Sequence, residues 1–249
     1  MKDERLNIIV IPARYDSTRL PGKPLRRIGG KTLIQWVYEK ALTSKLKDEV
    51  IIATDDKRIE RVACSFGAEA VLTSPQCQSG TDRVYEALKD KKADIIINLQ
   101  GDEPMIRGDM IDMLFSVMKK EKVDIATLCS PLRTKKEYRD PNTVKVVLDS
   151  KEYALYFSRS PIPYVKVSEQ WSVVSGKNFI YKHVGIYAYT MSFLETFVSL
   201  KKGKIEEAES LEQLRALENG YRIRVLITEY DGFGIDTEED LKRAEGRIQ

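Results

Sequence analysis

The alternation of short apolar runs with amphipathic helical segments in the first half of the chain restricts the fold more than any other feature. Residues 6–11, 49–53, 68–72, 94–99 and 124–128 are each short, apolar and bounded by polar or turn residues, so they read as strands. Between them, residues 32–42 set Leu33, Ile34, Val37 and Ala41 on one helical face, and 57–66, 82–88 and 109–119 repeat that spacing. A parallel connection needs a crossover, so this order predicts an α/β fold with parallel strands and helices on both faces. Ligands of such open sheets sit beyond the carboxyl ends of the strands. That rule places residues 12–24, 54–56 and 100–104 at the candidate site.

The second half changes character near Pro141. Residues 143–148 and 153–158 alternate as strands do, and Pro161 and Pro163 then break the chain. The polar stretch 164–177 reads as a loop or as an arm reaching a second subunit. Residues 182–189 return as a strand, followed by helical 191–200 and 206–218, the latter stopped by Asn219-Gly220. Residues 223–228 form a last strand, and 237–247 a last helix with acidic residues in its first turn.

Composition narrows the function classes. At 249 residues the chain needs neither metal nor disulfide merely to fold. A net charge of +3 argues against a protein that wraps nucleic acid. Cys64, Cys77 and Cys129 are odd in number and form no C-x-x-C pair, which argues against a disulfide framework or structural zinc and fits a reducing compartment. No signal peptide and no apolar run of about 20 residues is present, so a cytoplasmic protein is expected.

Four segments carry chemistry. Residues 11–24 (IPARYDSTRLPGKP) follow a strand and gather Arg14, Arg19 and Lys23 around Gly22, with Ser17 among them. Such a loop is either solvated or a polyphosphate cradle, with planar forks and a point charge for phosphate oxygens. Its place at a strand's carboxyl end favours phosphate. It is neither a Walker loop nor G-x-G-x-x-G. Residues 99–104 (LQGDEP) put Asp102 where it can hold a divalent cation beside the phosphates, and Asp236 in 234–237 (GIDT) can complete that site. Taken alone, Asp236 is better explained as a helix cap. Residues 78–83 (QSGTDR) are a capping turn whose Ser79, Gly80 and Thr81 can also meet a nucleobase or phosphate. The last set is 156–159 (YFSR), 183–187 (HVGIY) and 211–215 (LEQLR). His183 is the only histidine, which excludes a His-rich metal site. Leu211, Leu214 and Leu217 form the expected buried stripe, leaving Glu212 and Gln213 on the surface or in a polar cleft.

With these pieces in order over nearly the whole chain, the sequence strongly resembles the 3-deoxy-manno-octulosonate (Kdo) cytidylyltransferase family. The matching segments are 11–24, 53–56, 78–83, 98–104, 153–163, 182–187, 211–215 and 234–240. The resemblance implies a nucleotide-diphospho-sugar transferase (Rossmann-like) fold with a mixed, mostly parallel sheet and a dimerisation subdomain. It implies one cytidylyltransferase domain over 1–249, with a CTP-binding half (1–140), a sugar-binding and dimerisation half (141–230) and a metal-ligand loop with the C-terminal helix (231–249). The reaction implied is CTP plus Kdo giving CMP-Kdo and pyrophosphate, with Mg²⁺, in a cytoplasmic homodimer that engages neither nucleic acid nor membrane. By position, Ala13, Arg14, Ser79 and Gly80 resemble CTP contacts, and Arg14, Arg19 and Lys23 a triphosphate clamp. Asp102 and Asp236 resemble the metal pair, which displaces the cap reading of Asp236. Gln100, Arg159, His183, Tyr187, Glu212 and Gln213 resemble the sugar pocket, with Arg159 facing the sugar carboxylate. Residues 232–236 and 203–206 depart from the family pattern and adjoin the sugar side. A related branch uses the 8-amino analogue of Kdo. The same residues would also suit an enzyme for another sugar acid or a noncatalytic nucleotide-sugar binder. A glycosyltransferase would show Asp-x-Asp, which is absent.

Overall fold

Ile8, Ile9, Val10 and Ile11 are all wholly buried. Successive strand side chains point to opposite faces, so apolar layers must cover both sides of this strand. Ile9 and Ile11 join one core and Ile8 and Val10 the other.

The computed structural model describes residues 6–16, 19–165 and 179–248. The first half contains β1 (Leu6–Ala13), a short 3-10 helix (Lys23–Leu25), β2 (Arg27–Ile28), β3 (Lys31–Thr32), α1 (Leu33–Leu42), β4 (Glu49–Thr54) and α2 (Lys57–Ser65). It continues with β5 (Glu69–Leu72), α3 (Gly80–Leu88), β6 (Ala93–Leu99), α4 (Gly108–Glu121), β7 (Ile125–Pro131) and α5 (Lys135–Arg139). Then come β8 (Lys145–Leu148), β9 (Ala154–Ser158), β10 (Tyr181–Thr190), α6 (Met191–Ser199), α7 (Lys204–Glu209), α8 (Leu214–Glu218), β11 (Arg224–Ile227) and α9 (Glu238–Glu245).

The main sheet has the order β11-β7-β10-β6-β1-β4-β5. Its pairings are parallel except those of β10, which is antiparallel to both β6 and β7. The β8–β9 hairpin attaches to β10 through β8. α1, α2 and α4 cover one face, and α3 and α6 the other. The expected mixed, mostly parallel sheet with helices on both faces is what the chain forms. Among the described residues, no helix is long and apolar enough to cross a membrane.

One departure from the sequence reading concerns the site. The expected helix over 206–218 is two helices, because Ser210 adopts a left-handed conformation (φ 52°) at the end of α7. The break folds Arg215 back onto Glu206, Nε to Oε2 at 2.8 Å and Nη2 to Oε1 at 2.6 Å, in a buried pair. It also corrects the expected leucine stripe: Gln213 is buried and Leu217 only half-buried. Of the polar stretch 164–177, residues 166–177 lie outside the described residues. The β2–β3 hairpin and α5 escape periodicity analysis because two to five residues carry no period.

Candidate functional site

The loop after β1 is shaped by its glycine. Gly22 takes a left-handed conformation (φ +65°), and a Cβ there would come within 3.2 Å of the Tyr15 ring. Its N–H donates to the Tyr15 carbonyl at 3.1 Å, which closes the loop and aims Lys23 inward from the first position of the 3-10 helix. The strand-end loop after β6 approaches closely, since a Cβ on Gly101 would lie 3.0 Å from the Pro12 carbonyl oxygen.

Four charged groups meet where these loops touch. Lys23 Nζ donates to Asp102 Oδ2 at 2.7 Å and to Asp236 Oδ1 at 2.9 Å, and Arg19 Nη2 reaches Asp236 Oδ2 at 3.0 Å. Burial by itself disfavours the Lys23 ammonium, but Asp102 and Asp236 hold its pKa above the ordinary lysine value. The Ile235 N–H donates to the Asp102 carbonyl at 2.9 Å and fixes the two carboxylates side by side. Thr237, not Asp236, caps α9: its hydroxyl accepts from Asp240 N–H, and Asp240 completes a capping box. Asp236 is therefore left for the cluster, and the cap account of this residue is set aside.

Two cavities share Arg19, Asp102 and Asp236 of this cluster as a wall. The first, about 540 Å³, is lined by Ala13, Arg14, Arg19, Lys23, Ser79, Gly80, Gln100, Asp102, Arg159 and Asp236 among others. The second, about 630 Å³, includes His183, Glu103 and Lys182 together with the shared Arg19, Gln100, Asp102 and Asp236. Ser79 caps α3 and lines the first cavity beside Gly80, whereas Thr81 lines neither cavity and donates to Glu212. Arg159 faces the first cavity, its guanidinium held by the carbonyls of Glu209 (2.9 Å) and Pro141 (3.0 Å). Its own carbonyl accepts from the buried Lys145 ammonium, which also donates to the Asp140 and Thr143 carbonyls.

Tyr187, Glu212 and Gln213 line neither cavity. Tyr187 lies against His183, ring centroids 5.2 Å apart and the rings tilted by 40°. Glu212 Oε2 accepts from Thr81 at 2.7 Å, whereas Glu212 Oε1 and Gln213 Nε2 are buried with no hydrogen-bond partner. Burial raises the Glu212 pKa against the lowering effect of Thr81, Ser79 and Arg215. Of the departing segments, Gly232, Phe233 and Gly234 line the second cavity. Residues 203–206 line neither cavity and serve the Glu206–Arg215 pair.

Burial pushes the His183 pKa down to about 3, so the ring is neutral at pH 7. The native state refuses a proton that the unfolded chain binds below about pH 6.5. This contribution to stability is full above pH 6.5 and is lost as pH falls toward 3. Glu103, pushed up to about 7 chiefly by burial and secondly by Asp102, acts oppositely over much of that window. Comparing His183→Gln with the parent cancels the Glu103 effect. The parent should lose more melting temperature between pH 7.5 and pH 5 than the variant does.

Sequence reasoning passed over Arg83 and Glu103, although both fall inside motifs that it singled out. Arg83 is buried against Asp55 (2.7 Å) and lines the first cavity. Glu103 is 9% exposed, accepts from Tyr230 Oη at 2.8 Å and lines the second. The apolar strand before Glu103 was a usable signal, since a carboxylate beside it is seldom fully solvated. Nothing local marked Tyr230 or Lys182, which also line the second cavity.

A doubly covered, mostly parallel sheet, with a basic loop at the end of its first strand and a carboxylate pair opposite that loop, is the nucleotide-diphospho-sugar transferase fold. The chain belongs to the cytidylyltransferase family, whose sequence model matches residues 8–223. It is 52% identical over 248 residues to the 3-deoxy-manno-octulosonate cytidylyltransferase of Thermodesulfovibrio yellowstonii, covering 96% of this chain and 97% of the relative. It is 43% identical over 245 residues to an 8-amino-3,8-dideoxy-manno-octulosonate cytidylyltransferase of Shewanella baltica, with the same coverage. A solved structure of CMP:2-keto-3-deoxy-manno-octonic acid synthetase complexed with CTP superposes with a TM-score of 0.90 at 45% identity, covering 98% of both chains.

Proposed function

We propose that this chain transfers CMP from CTP to Kdo, releasing CMP-Kdo and pyrophosphate, in the cytoplasm and as a homodimer. The observation that carries the reading is the pairing of Asp102 and Asp236, on the wall common to two cavities, with Lys23 on the first cavity's side of that wall. CTP is assigned to the first cavity, with Ala13, Arg14, Ser79 and Gly80 as contacts and Arg14, Arg19 and Lys23 on its triphosphate. The sugar acid is assigned to the junction of the cavities. Gln100 and His183 meet it there, Arg159 faces its carboxylate, and Tyr187, Glu212 and Gln213 back them. Exposed Leu155, Tyr164 and Phe179, in and beside the β8–β9 hairpin, support the dimer.

Asp102 and Asp236 fit Mg²⁺. Their oxygens already converge on one cation, the Lys23 ammonium. Among the described residues no group of three or more acidic, cysteine or histidine side chains comes together, so further ligands must be substrate oxygens and water, which Mg²⁺ accepts readily. When bound, the metal supplies charge neutralisation at the reacting phosphate. The anomeric hydroxyl oxygen forms a bond to the α-phosphorus as the bond to pyrophosphate breaks, and the hydroxyl proton passes to water. Arg19 and Lys23 neutralise the departing pyrophosphate, and Arg159 and Gln100 hold the sugar in line.

The test is pyrophosphate release from CTP and Mg²⁺ with Kdo, 8-amino-Kdo and N-acetylneuraminate offered in parallel. Release with Kdo at a kcat/KM at least tenfold above the others is expected. Preference for the amino sugar would move the chain to the branch represented by the Shewanella relatives. Release with none would overturn the reading.

A further inference from the structure

Two threonines behind the cavities decide which way the hydrogen bonds of Gln100 and His183 point. Thr81 is 1% exposed and Thr127 wholly buried. The first belongs to a chain of three bonds: Gln100 Nε2 donates to Asn98 Oδ1 (3.1 Å), Asn98 Nδ2 to Thr81 Oγ1 (3.2 Å), and Thr81 Oγ1 to Glu212 Oε2 (2.7 Å). Glu212 Oε2 takes the Thr81 proton in this geometry, and Arg215 Nη2, 3.7 Å from the other Glu212 oxygen, opposes the rise that burial imposes on the Glu212 pKa. Thr81 has a single proton and gives it to Glu212. Asn98 must therefore present its NH₂ to Thr81 and its oxygen to Gln100. Gln100 in turn spends its NH₂ on Asn98 and keeps Oε1 for the cavities it lines.

The second threonine does the same for His183. A bulge in β10 between Val184 and Tyr187 turns the Ile186 carbonyl toward Thr127, whose hydroxyl donates to it at 2.6 Å. With that proton committed, Thr127 Oγ1 can only accept at its 2.9 Å contact with His183 Nε2. The imidazole carries its proton on Nε2, and Nδ1 is a bare acceptor.

We propose that Thr81 and Thr127 are positioning residues that make the sugar side an array of acceptors, Gln100 Oε1 and His183 Nδ1, selective for a ligand that offers hydroxyl donors. This rests on the sugar-acid reading of the site and adds its physical basis. A polyol loses little by donating to such an array. A ligand with only acceptors at these positions faces lone pair against lone pair, and a buried acceptor left unpaired is costly.

His183 is the only histidine in the chain, so its ring nitrogens can be read directly by ¹⁵N NMR. The parent should show the Nε2–H tautomer, and Thr127→Val should lose that preference, while Thr127→Ser retains it. In kinetics, Thr81→Val and Thr127→Val should each raise KM for the sugar acid about tenfold, the loss of roughly one hydrogen bond, with KM for CTP within twofold. Thr81→Ser and Thr127→Ser should restore the parent value. Melting temperatures of all four variants separate this effect from unfolding. A parent ring protonated on Nδ1, or valine variants with unchanged KM for the sugar acid, overturns the proposal. Absence of turnover with every sugar acid, beside an Nε2–H ring, overturns the substrate reading and leaves the tautomer assignment standing.

Discussion

Asp102→Asn lowers the rate of pyrophosphate release by about a hundredfold to a thousandfold, the scale seen when one preorganised electrostatic contact to a reacting centre is removed. The side chain keeps its size and can still accept from Lys23, so only the charge changes. Asp102 is a quarter exposed, and the backbone bond that fixes it, from the Ile235 N–H to its carbonyl, is untouched. Asp236 keeps Lys23 paired in the variant, so the change in stability stays at about 1 kcal/mol or less. The variant should melt with the parent while the Mg²⁺ concentration needed for half-maximal rate rises. Asp236→Asn should behave alike, because Lys23 Nζ sits within 0.2 Å of equidistance from the two carboxylates. Pyrophosphate release, a magnesium titration and a melting curve on the two variants check this. Near-parental turnover in Asp102→Asn would remove the residue from the metal assignment.

The fold was legible because its signal is periodic. Ile8 to Ile11 bury both faces of one strand, and the helix over 33–42 buries Leu33, Ile34, Val37 and Ala41 as the spacing indicates. The nucleotide side was legible because its residues are close in sequence: Arg14, Arg19 and Lys23 lie within ten positions of one strand end. The sugar side was less so. Whether Ser210 ends a helix depends on its taking φ 52°, a conformation that serine does not advertise. Of the two placements the periodicity left open for Glu212 and Gln213, surface or polar cleft, neither holds for Gln213, which is buried, while Glu212 is half-buried. Tyr230 is 127 positions from Glu103, and Glu212 is 131 from Thr81. Contacts of that span are set by the sheet order, which no local pattern encodes. The motif resemblance reached several of these residues without giving their geometry.

Arg215→Met should be the most destabilising substitution near the site that touches neither cavity. Arg215 and Glu206 have side chains 4% and 7% exposed and share two hydrogen bonds of 2.8 and 2.6 Å. The Arg215 guanidinium also lies 4.9 Å from the centre of the Phe197 ring, in the core beneath α6. Breaking a buried pair by removing one partner leaves an uncompensated charge, at a cost of about 3–5 kcal/mol. For a chain of this size that corresponds to a melting temperature lower by roughly 10 °C. Replacing both partners is a different experiment, because two apolar residues of similar volume avoid desolvating any charge. Glu206→Leu with Arg215→Met should recover most of the loss. The double variant should not recover function equally, since the cation 3.7 Å from Glu212 is gone and nothing but Thr81 and Ser79 then opposes the effect of burial on the acceptor that ends the hydrogen-bond chain to Gln100. Restored melting with a raised KM for the sugar acid would separate the two roles of Arg215, folding the α7–α8 turn and holding Glu212 as an acceptor. Parental melting in the single variant would show that the pair is open to water and carries neither role.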